Sequence, residues 1–283
     1  GRFQAQDINA RRFGDGGQVD LESRLANCDE GQAGQIERSA VEARHTPAAR
    51  LRTTEWNLQR YLAPPADTAF PLEYAFHVIG DVSGRTVLDY GCGNGENSLP
   101  LAVRGARVIG LDVSDDLLAL ARQRLSLHGV ESRATFLAAS AHEIPLPDNS
   151  VDAVMGIAIL HHLDLARSAS EIHRVLKPGG IAVFQEPVRN SRLLRMVRSW
   201  IPYRSEEVSD YERPLTDPEL RAFASAFREY RSRAFSLPFI NLVQVVPLLQ
   251  RFVMPLYRID AALLRRTRAL DAFAGIRVIS MRK

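Results

Sequence analysis

Short apolar runs alternate with longer amphipathic stretches along the middle of the chain. The runs have the length of buried strands, and the stretches between them have helical periodicity. Strands are predicted near 86–90, 107–111, 134–138, 151–156 and 180–186, and helices near 96–104, 115–128, 164–176 and 191–199. This alternation predicts a parallel sheet with helices on both faces and a ligand site where the strands end.

The segment before this alternating region has a different character. Residues 1–45 are rich in Gly, Gln, Asp, Arg and Ala and hold few large apolar side chains, which predicts a poorly ordered or partner-dependent arm. A helix is predicted over 46–62, where Pro47 follows the capping residue Thr46. A second helix is predicted over 71–79.

The pattern changes again after the fifth strand. Thr216 or Asp217 caps a predicted helix, residues 229–237 predict a sixth strand, and residues 275–281 predict a closing strand.

Residues 238–264 are strongly apolar but contain Pro247 and Pro255, which argues against a membrane-spanning helix. A helical cap over a substrate pocket is the favoured interpretation. A dimer face and a surface resting on a membrane are the alternatives, the latter supported by the arginines downstream.

Composition and charge exclude some classes of partner. The net charge is +3, and the basic residues are arginines except for Lys177 and Lys283. The arginines are dispersed and no basic stretch is interleaved with aromatic residues, so no nucleic-acid partner is expected. The two cysteines, Cys28 and Cys92, predict neither a disulfide nor a metal site, and a cytoplasmic location is expected.

The most informative segment follows the first predicted strand and reads acid-x-Gly-x-Gly-x-Gly from Asp89 to Gly95. Glycines permit positive φ and let a ligand approach the main chain. Asp112, at the end of the second strand, can accept both hydroxyls of a ribose. The spacing differs from that of dinucleotide-binding turns, and an acid at the head of the turn favours a ligand that carries positive charge beside a ribose.

Five segments carry a family resemblance: 86–96, 107–114, 139–152, 159–163 and 171–180. Their motifs resemble those of class I S-adenosylmethionine-dependent methyltransferases, in the subgroup that acts on small molecules and quinones. The resemblance implies a Rossmann-like, seven-stranded α/β sheet whose last strand is antiparallel between the fifth and sixth. It also implies a methyltransferase domain over 46–283, with a cofactor-binding core at 84–187 and a substrate cap at about 195–270.

The resemblance further implies S-adenosyl-L-methionine as cofactor and S-adenosyl-L-homocysteine as product. The cofactor-binding residues expected from it are Asp89, Gly91, Cys92, Gly93, Gly95, Asp112, Val113, Ser140, Ala141, His142, Gly156 and Ile157. Ser140 departs from the subgroup, which usually has an acid against the adenine amino group. Adenine binding is therefore expected to depend more on the backbone at Ala141 and on His142, and Ser140 as the cap of a turn is an equal alternative.

His161 and His162 follow the fourth strand and Glu186 ends the fifth, so these three are the candidate catalytic residues. A base is needed only if the acceptor must lose a proton, and a structural role is the alternative for each. Tyr203 and Tyr211 are candidate substrate contacts in the following loop.

The predicted activity is methyl transfer to a small or lipid-like acceptor, at oxygen or carbon rather than nitrogen. The alternatives are a related enzyme that uses the same cofactor for other chemistry, or a non-catalytic cofactor-binding protein. A homodimer is left open, and membrane-surface contact is not favoured.

Overall fold

A computed structural model of the chain describes residues 45–191, 213–240 and 252–283, together with Val41. The strands are β1 Thr86–Tyr90, β2 Arg107–Asp112, β3 Ala134–Ala138, β4 Val151–Ile157, β5 Leu176–Pro187, β6 Arg228–Phe235 and β7 Ile276–Arg282. The helices are α1 Glu55–Leu62, α2 Pro71–Ile79, α3 Ser98–Val103, α4 Asp115–Leu127, α5 Leu165–Val175, α6 Asp217–Ala224 and α7 Val253–Arg266. Short 3₁₀ turns lie at Ala48–Leu51, Glu131–Arg133, Leu160–His162 and Arg268–Phe273.

The strands form one sheet in the order β3-β2-β1-β4-β5-β7-β6. Strands β1 to β5 are parallel, and β7 runs antiparallel to both β5 and β6. The predicted fold class is therefore confirmed, including the antiparallel strand between the fifth and sixth. We call the edge at which β1 to β5 end the carboxyl edge. Since two antiparallel steps separate β5 from β6, β6 also ends there.

Helices cover both faces of the sheet, as the alternating pattern predicts. One apolar cluster joins the sheet to α2, α3 and α4, and its fully buried members include Phe76, Leu99 and Leu118. The other joins the sheet to α5 and α6 through residues such as Ile172 and Leu220. Both faces of the sheet are therefore covered. At the carboxyl edge, the chain leaves the core in turns.

The helix predicted over 46–62 is wrong in its first part. The structure has a 3₁₀ turn at Ala48–Leu51, an extended Arg52, and then α1. Helix α1 starts as a separate element because the Thr54 hydroxyl accepts a hydrogen bond from the Asn57 N–H and so caps the helix at Thr54. In contrast, the predicted cap at Thr216 is confirmed, since Thr216 and Glu219 form a capping box at the start of α6.

Strand β5 begins earlier than predicted, at Leu176, because Leu176 already pairs with Val151 before an irregularity in the β4–β5 ladder. Most of the predicted arm over 1–45, the helix near 191–199 and residues 241–251 lie outside the described residues.

Helix α7 is the described part of the apolar C-terminal stretch. The Asp260 carboxylate accepts hydrogen bonds from the N–H groups of Ser236 (3.1 Å) and Leu237 (2.7 Å), directly after β6. Pro255 lies in the first turn of α7, where backbone N–H groups have no helical partner, so it does not break the helix. A buried acid therefore holds α7 at the carboxyl edge of the sheet.

Candidate functional site

The turn after β1 places three glycines in the left-handed region, with φ of 73° at Gly91, 50° at Gly93 and 79° at Gly95. A Cβ on Gly91 would lie 2.6 Å from the Ile159 side chain, and one on Gly95 would lie 2.9 Å from Ala121. A Cβ on Gly93 would meet nothing within 4 Å. Packing therefore surrounds the two outer glycines, while the middle one faces open space in which a ligand can approach the backbone.

Asp112 ends β2 beside this turn. One carboxylate oxygen accepts a hydrogen bond from the Gly93 N–H (2.9 Å) and the other accepts one from the Ser114 N–H (3.0 Å). Burial raises the pKa of Asp112, and these backbone donors act in the opposite direction. Each oxygen keeps lone pairs for further donors such as ribose hydroxyls. Val113 follows in a bend and is partly buried.

Asp89 lies beneath the turn and is almost completely buried, with 1% of its surface exposed. The Ser98 hydroxyl donates to its carboxylate at 2.5 Å. Burial raises the pKa of Asp89 to about 7, and the nearby Asp112 charge adds to the increase, while the Ser98 bond opposes it. Two acids therefore stand behind the turn, and a cationic ligand would favour the ionised form of Asp89.

This raised pKa makes a testable contribution to stability. The folded state holds the Asp89 proton more tightly than the unfolded chain, so the contribution is complete below pH 4 and is lost as pH rises through about 7. The loss is on the order of 4 kcal/mol at most. We expect urea unfolding at pH 5 and pH 8 to show a smaller pH-dependent loss for Asp89→Asn than for the original chain. The matched control is Asp116→Asn at an exposed acid of α4, which should follow the original chain.

Arg124 is a functional candidate that the sequence analysis missed. It lies on α4 and is 2% exposed. Its Nε donates to the Asn94 carbonyl (2.9 Å), and its Nη1 donates to the Leu51 carbonyl (3.3 Å). Its Nη2 lies 3.4 Å from the Glu96 carboxylate. One guanidinium thus joins the glycine turn to the segment that precedes α1.

A sequence signal for Arg124 does exist. It is seven residues after Leu117 and three after Ala121, so it falls within the apolar face of α4. A charged residue on a buried helical face needs partners, and its partners here are backbone carbonyls and the Glu96 carboxylate.

The segment after β3 carries the predicted adenine contacts. The Ser140 hydroxyl accepts from the His142 N–H (3.1 Å), the geometry of a capped turn. The His142 ring accepts from the Asp164 N–H (2.9 Å), which directs it to the start of α5. The Ala141 carbonyl accepts from the Tyr90 hydroxyl (2.7 Å). Adenine binding by these residues stays a prediction.

Three further predicted residues have clear packing roles. The Cys92 side chain is buried, and burial raises the pKa of its thiol. A Cβ on Gly156 would lie 2.5 Å from the Phe184 ring, so glycine is needed there for packing. Ile157 ends β4 and is partly buried. Contacts of Cys92 and Gly156 with a cofactor would therefore be made by the backbone.

The structure brings His161 and Glu186 together at the carboxyl edge. The His161 Nδ1 lies 2.8 Å from one Glu186 carboxylate oxygen, and Glu186 is fully buried. The other oxygen accepts hydrogen bonds from the N–H groups of Ile159 (2.9 Å) and Leu160 (2.8 Å). An ionised carboxylate only accepts hydrogen bonds, so with Glu186 ionised the His161 Nδ1 is the donor and Nε2 is the ring nitrogen that can accept a proton.

His162 lies in the same 3₁₀ turn, with its ring centroid 3.9 Å from that of His161. The described contacts of Glu186 are with His161, Ile159 and Leu160. The geometry therefore ranks His161 above His162 as a candidate base. Tyr203 and Tyr211 lie outside the described residues.

Comparison with known proteins agrees with this geometry. A methyltransferase domain model matches residues 88–184, which run from β1 into β5. The 2-phytyl-1,4-naphtoquinone methyltransferase of Nostoc punctiforme is 31% identical over 191 residues, covering 64% of this chain and 70% of that protein. The chain belongs to the class I S-adenosylmethionine-dependent methyltransferases.

Another relative of the methyltransferase matches over a shorter stretch. The demethylmenaquinone methyltransferase of Symbiobacterium thermophilum is 39% identical over 101 residues, covering 34% of this chain and 40% of that protein. The chain thus spans about two fifths of the length of this relative.

Similarity in fold extends further than similarity in sequence. A geranyl diphosphate C-methyltransferase from Streptomyces coelicolor superposes with a TM-score of 0.58 at 17% identity, covering 90% of this chain and 98% of that one. Among the described residues, no helix of the methyltransferase has both the length and the apolar character to cross a membrane.

S-adenosyl-L-methionine is the cofactor of these enzymes, and the site of the methyltransferase fits it. Gly93 leaves open space against the backbone, and Asp112 presents oxygens to that side of the turn. The nearby acid Asp89 suits a ligand that carries a sulfonium and an ammonium group. These residues therefore match a cationic nucleoside better than a pyrophosphate.

Proposed function

We propose that the methyltransferase methylates a hydroxylated small molecule with an apolar body, at oxygen or at a carbon activated by the deprotonated hydroxyl, and that His161 is the base. The Glu186–His161 pair supports this proposal most directly. Methyl transfer itself requires no base, so an oriented imidazole at this edge is best explained by an acceptor that must lose a proton.

The cofactor supplies an electrophilic methyl group. Its positively charged sulfur becomes a neutral thioether when the methyl group is transferred. The chain's own residues hold and orient the reactants, which is the main source of rate enhancement in such a displacement. Asp112 would hold the ribose, the open face of Gly93 would lie against the cofactor, and Asp89 would balance the positive charge.

The catalytic pair would act on the acceptor. The His161 Nε2 would accept the hydroxyl proton. The imidazolium that forms would keep its hydrogen bond from Nδ1 to Glu186. Glu186 is suited to this task because two backbone N–H groups fix its other oxygen. A buried carboxylate in this position stabilises the imidazolium and orients the ring.

The proposed acceptor class is a phenol or a reduced quinone. Two relatives named above are quinone methyltransferases by name. A phenolic hydroxyl ionises near pH 10, within reach of an imidazole base, whereas an alkyl hydroxyl is far less acidic. Oxygen and the adjacent ring carbon share the resulting negative charge, so both are candidate acceptor atoms. The segment at about 195–270 is proposed to cover this acceptor.

The direct test is turnover with S-adenosyl-L-methionine and a water-soluble reduced naphthoquinone, followed by mass spectrometry of both products. We expect equal amounts of S-adenosyl-L-homocysteine and of an acceptor in which one methyl group has replaced one hydrogen, a net gain of CH2. Asp112→Ala, designed to remove the ribose contact, should abolish turnover and weaken cofactor binding in calorimetry. Tight cofactor binding without methylation of any phenolic acceptor would contradict the proposal.

A further inference from the structure

Helix α7 exposes an apolar line of side chains next to its buried residues. Its exposed large apolar side chains include Phe252 (45% exposed), Ile259 (50%) and Leu263 (39%). These three, with the partly buried Leu256, are spaced four, three and four residues apart and form one line along the helix. We call these four residues the α7 stripe. Asp260 and Leu264, which adjoin this line on the helix surface, hold the helix to the protein.

The charges beside the stripe all have one sign. The exposed charged residues between 252 and 268 are Arg258, Arg265, Arg266 and Arg268. Asp260 is the acid of this segment, and it is fully buried against backbone N–H groups. An apolar line with exposed guanidinium groups on the same helix is complementary to an anionic phospholipid surface.

The stripe also has a functional position. Asp260 holds α7 to the residues that follow β6, and β6 ends at the carboxyl edge where Glu186 and His161 lie. The Tyr257 ring packs on Phe70 at 4.9 Å between centroids, which fixes α7 against the segment that precedes α2. The stripe therefore belongs to the side of the molecule where an acceptor would enter.

We propose that the α7 stripe inserts into the headgroup region of an anionic phospholipid bilayer, with the flanking arginines on lipid phosphates. This inference rests on the proposed function, since its purpose is to let an apolar acceptor pass from the bilayer to the Glu186–His161 pair. The helix lies in the membrane plane and does not span it, in agreement with the absence of a spanning helix among the described residues.

The test is co-sedimentation of the full chain with vesicles of phosphatidylcholine alone and of phosphatidylcholine with phosphatidylglycerol. Binding should require the anionic lipid and decrease at high salt. The double variant Ile259→Ser/Leu263→Ser should lower the partition coefficient at least tenfold. The double variant Arg258→Gln/Arg266→Gln should also lower the partition coefficient and should weaken its dependence on salt concentration. The matched control is Leu127→Ser, an exposed leucine on α4, which should bind as the original chain does.

Turnover of a water-soluble phenolic acceptor separates the two proposals. Turnover of the water-soluble acceptor is the internal reference for each α7 variant and shows that the variant folds. The ratio of turnover of a long-chain acceptor embedded in anionic vesicles to turnover of the soluble acceptor should fall in the α7 variants and stay unchanged in Leu127→Ser. If the original chain binds vesicles but methylates no phenol, the proposed function is contradicted, while the proposed membrane contact of the α7 stripe is supported. Undiminished vesicle binding by Ile259→Ser/Leu263→Ser would contradict the proposed membrane contact of the α7 stripe. The same conclusion would follow if the original chain bound no vesicles and formed a dimer that this variant dissociates.

Discussion

Replacement of His161 by Gln is expected to lower kcat by about 10²–10⁴-fold, the usual contribution of a positioned general base. Cofactor affinity should stay nearly unchanged, because the contact that defines the role of His161 is with Glu186 and not with the glycine turn. The measurement is steady-state turnover of a phenolic acceptor, with cofactor affinity from calorimetry.

Glu186→Gln tests the orienting role separately. A Gln side chain can keep one contact with the backbone N–H groups of Ile159 and Leu160, but it cannot stabilise an imidazolium. We expect a loss of kcat approaching that of the His161 variant and non-additive losses in the double variant. His162→Gln is the matched control in the same turn and should lose less than about tenfold in kcat, below the range expected for a base. Equal losses at His161 and His162 would contradict the assignment.

Arg124→Leu is expected to have the largest effect on stability. Removal of the guanidinium leaves the Asn94 and Leu51 carbonyls without this donor, and each unsatisfied buried acceptor costs about 1–3 kcal/mol. A loss of about 2–5 kcal/mol in the free energy of unfolding follows. The glycine turn also loses a contact behind Asn94, so the KM for the cofactor should rise more than kcat falls.

The control for Arg124 is its neighbour Arg122, which is exposed and makes one described hydrogen bond, to the Phe136 carbonyl (3.2 Å). Arg122→Leu should lose less than about 1 kcal/mol. Urea unfolding measures the stability of both variants, and Arg124→Lys tests whether charge alone is sufficient. A Lys variant with full stability and unchanged KM would show that the multiple guanidinium contacts are unimportant.

The strands and the glycine turn could be predicted because their signals are local. A strand is marked by its apolar run, and the turn by glycines whose positive φ the structure confirms at Gly91, Gly93 and Gly95. The break between the 3₁₀ turn and α1 could not be predicted from the apolar pattern, because it depends on the single hydrogen bond that caps α1 at Thr54.

The residues of the candidate site could be predicted from the sequence, but their contacts with one another could not. His161 and Glu186 are 25 positions apart in sequence, and their 2.8 Å contact depends on the register of β4 against β5. The His142 ring is directed to Asp164 by the packing of α5, which no motif contains. Arg124 was missed because its shortest hydrogen bond is to the Asn94 backbone carbonyl (2.9 Å), a group that every residue carries and that no sequence pattern marks.

The place of β7 has a consequence for how the chain acquires its structure. In the sequence β7 follows β6 and α7, yet in the sheet it lies between β5 and β6. Strand β6 therefore has no partner in the sheet until β7 has been synthesised. The parallel strands that carry Asp89, Asp112 and Glu186 can pair earlier, with β5 as a temporary open edge. During synthesis, the cofactor half is expected to form first, and the acceptor side is completed by the late insertion of one strand.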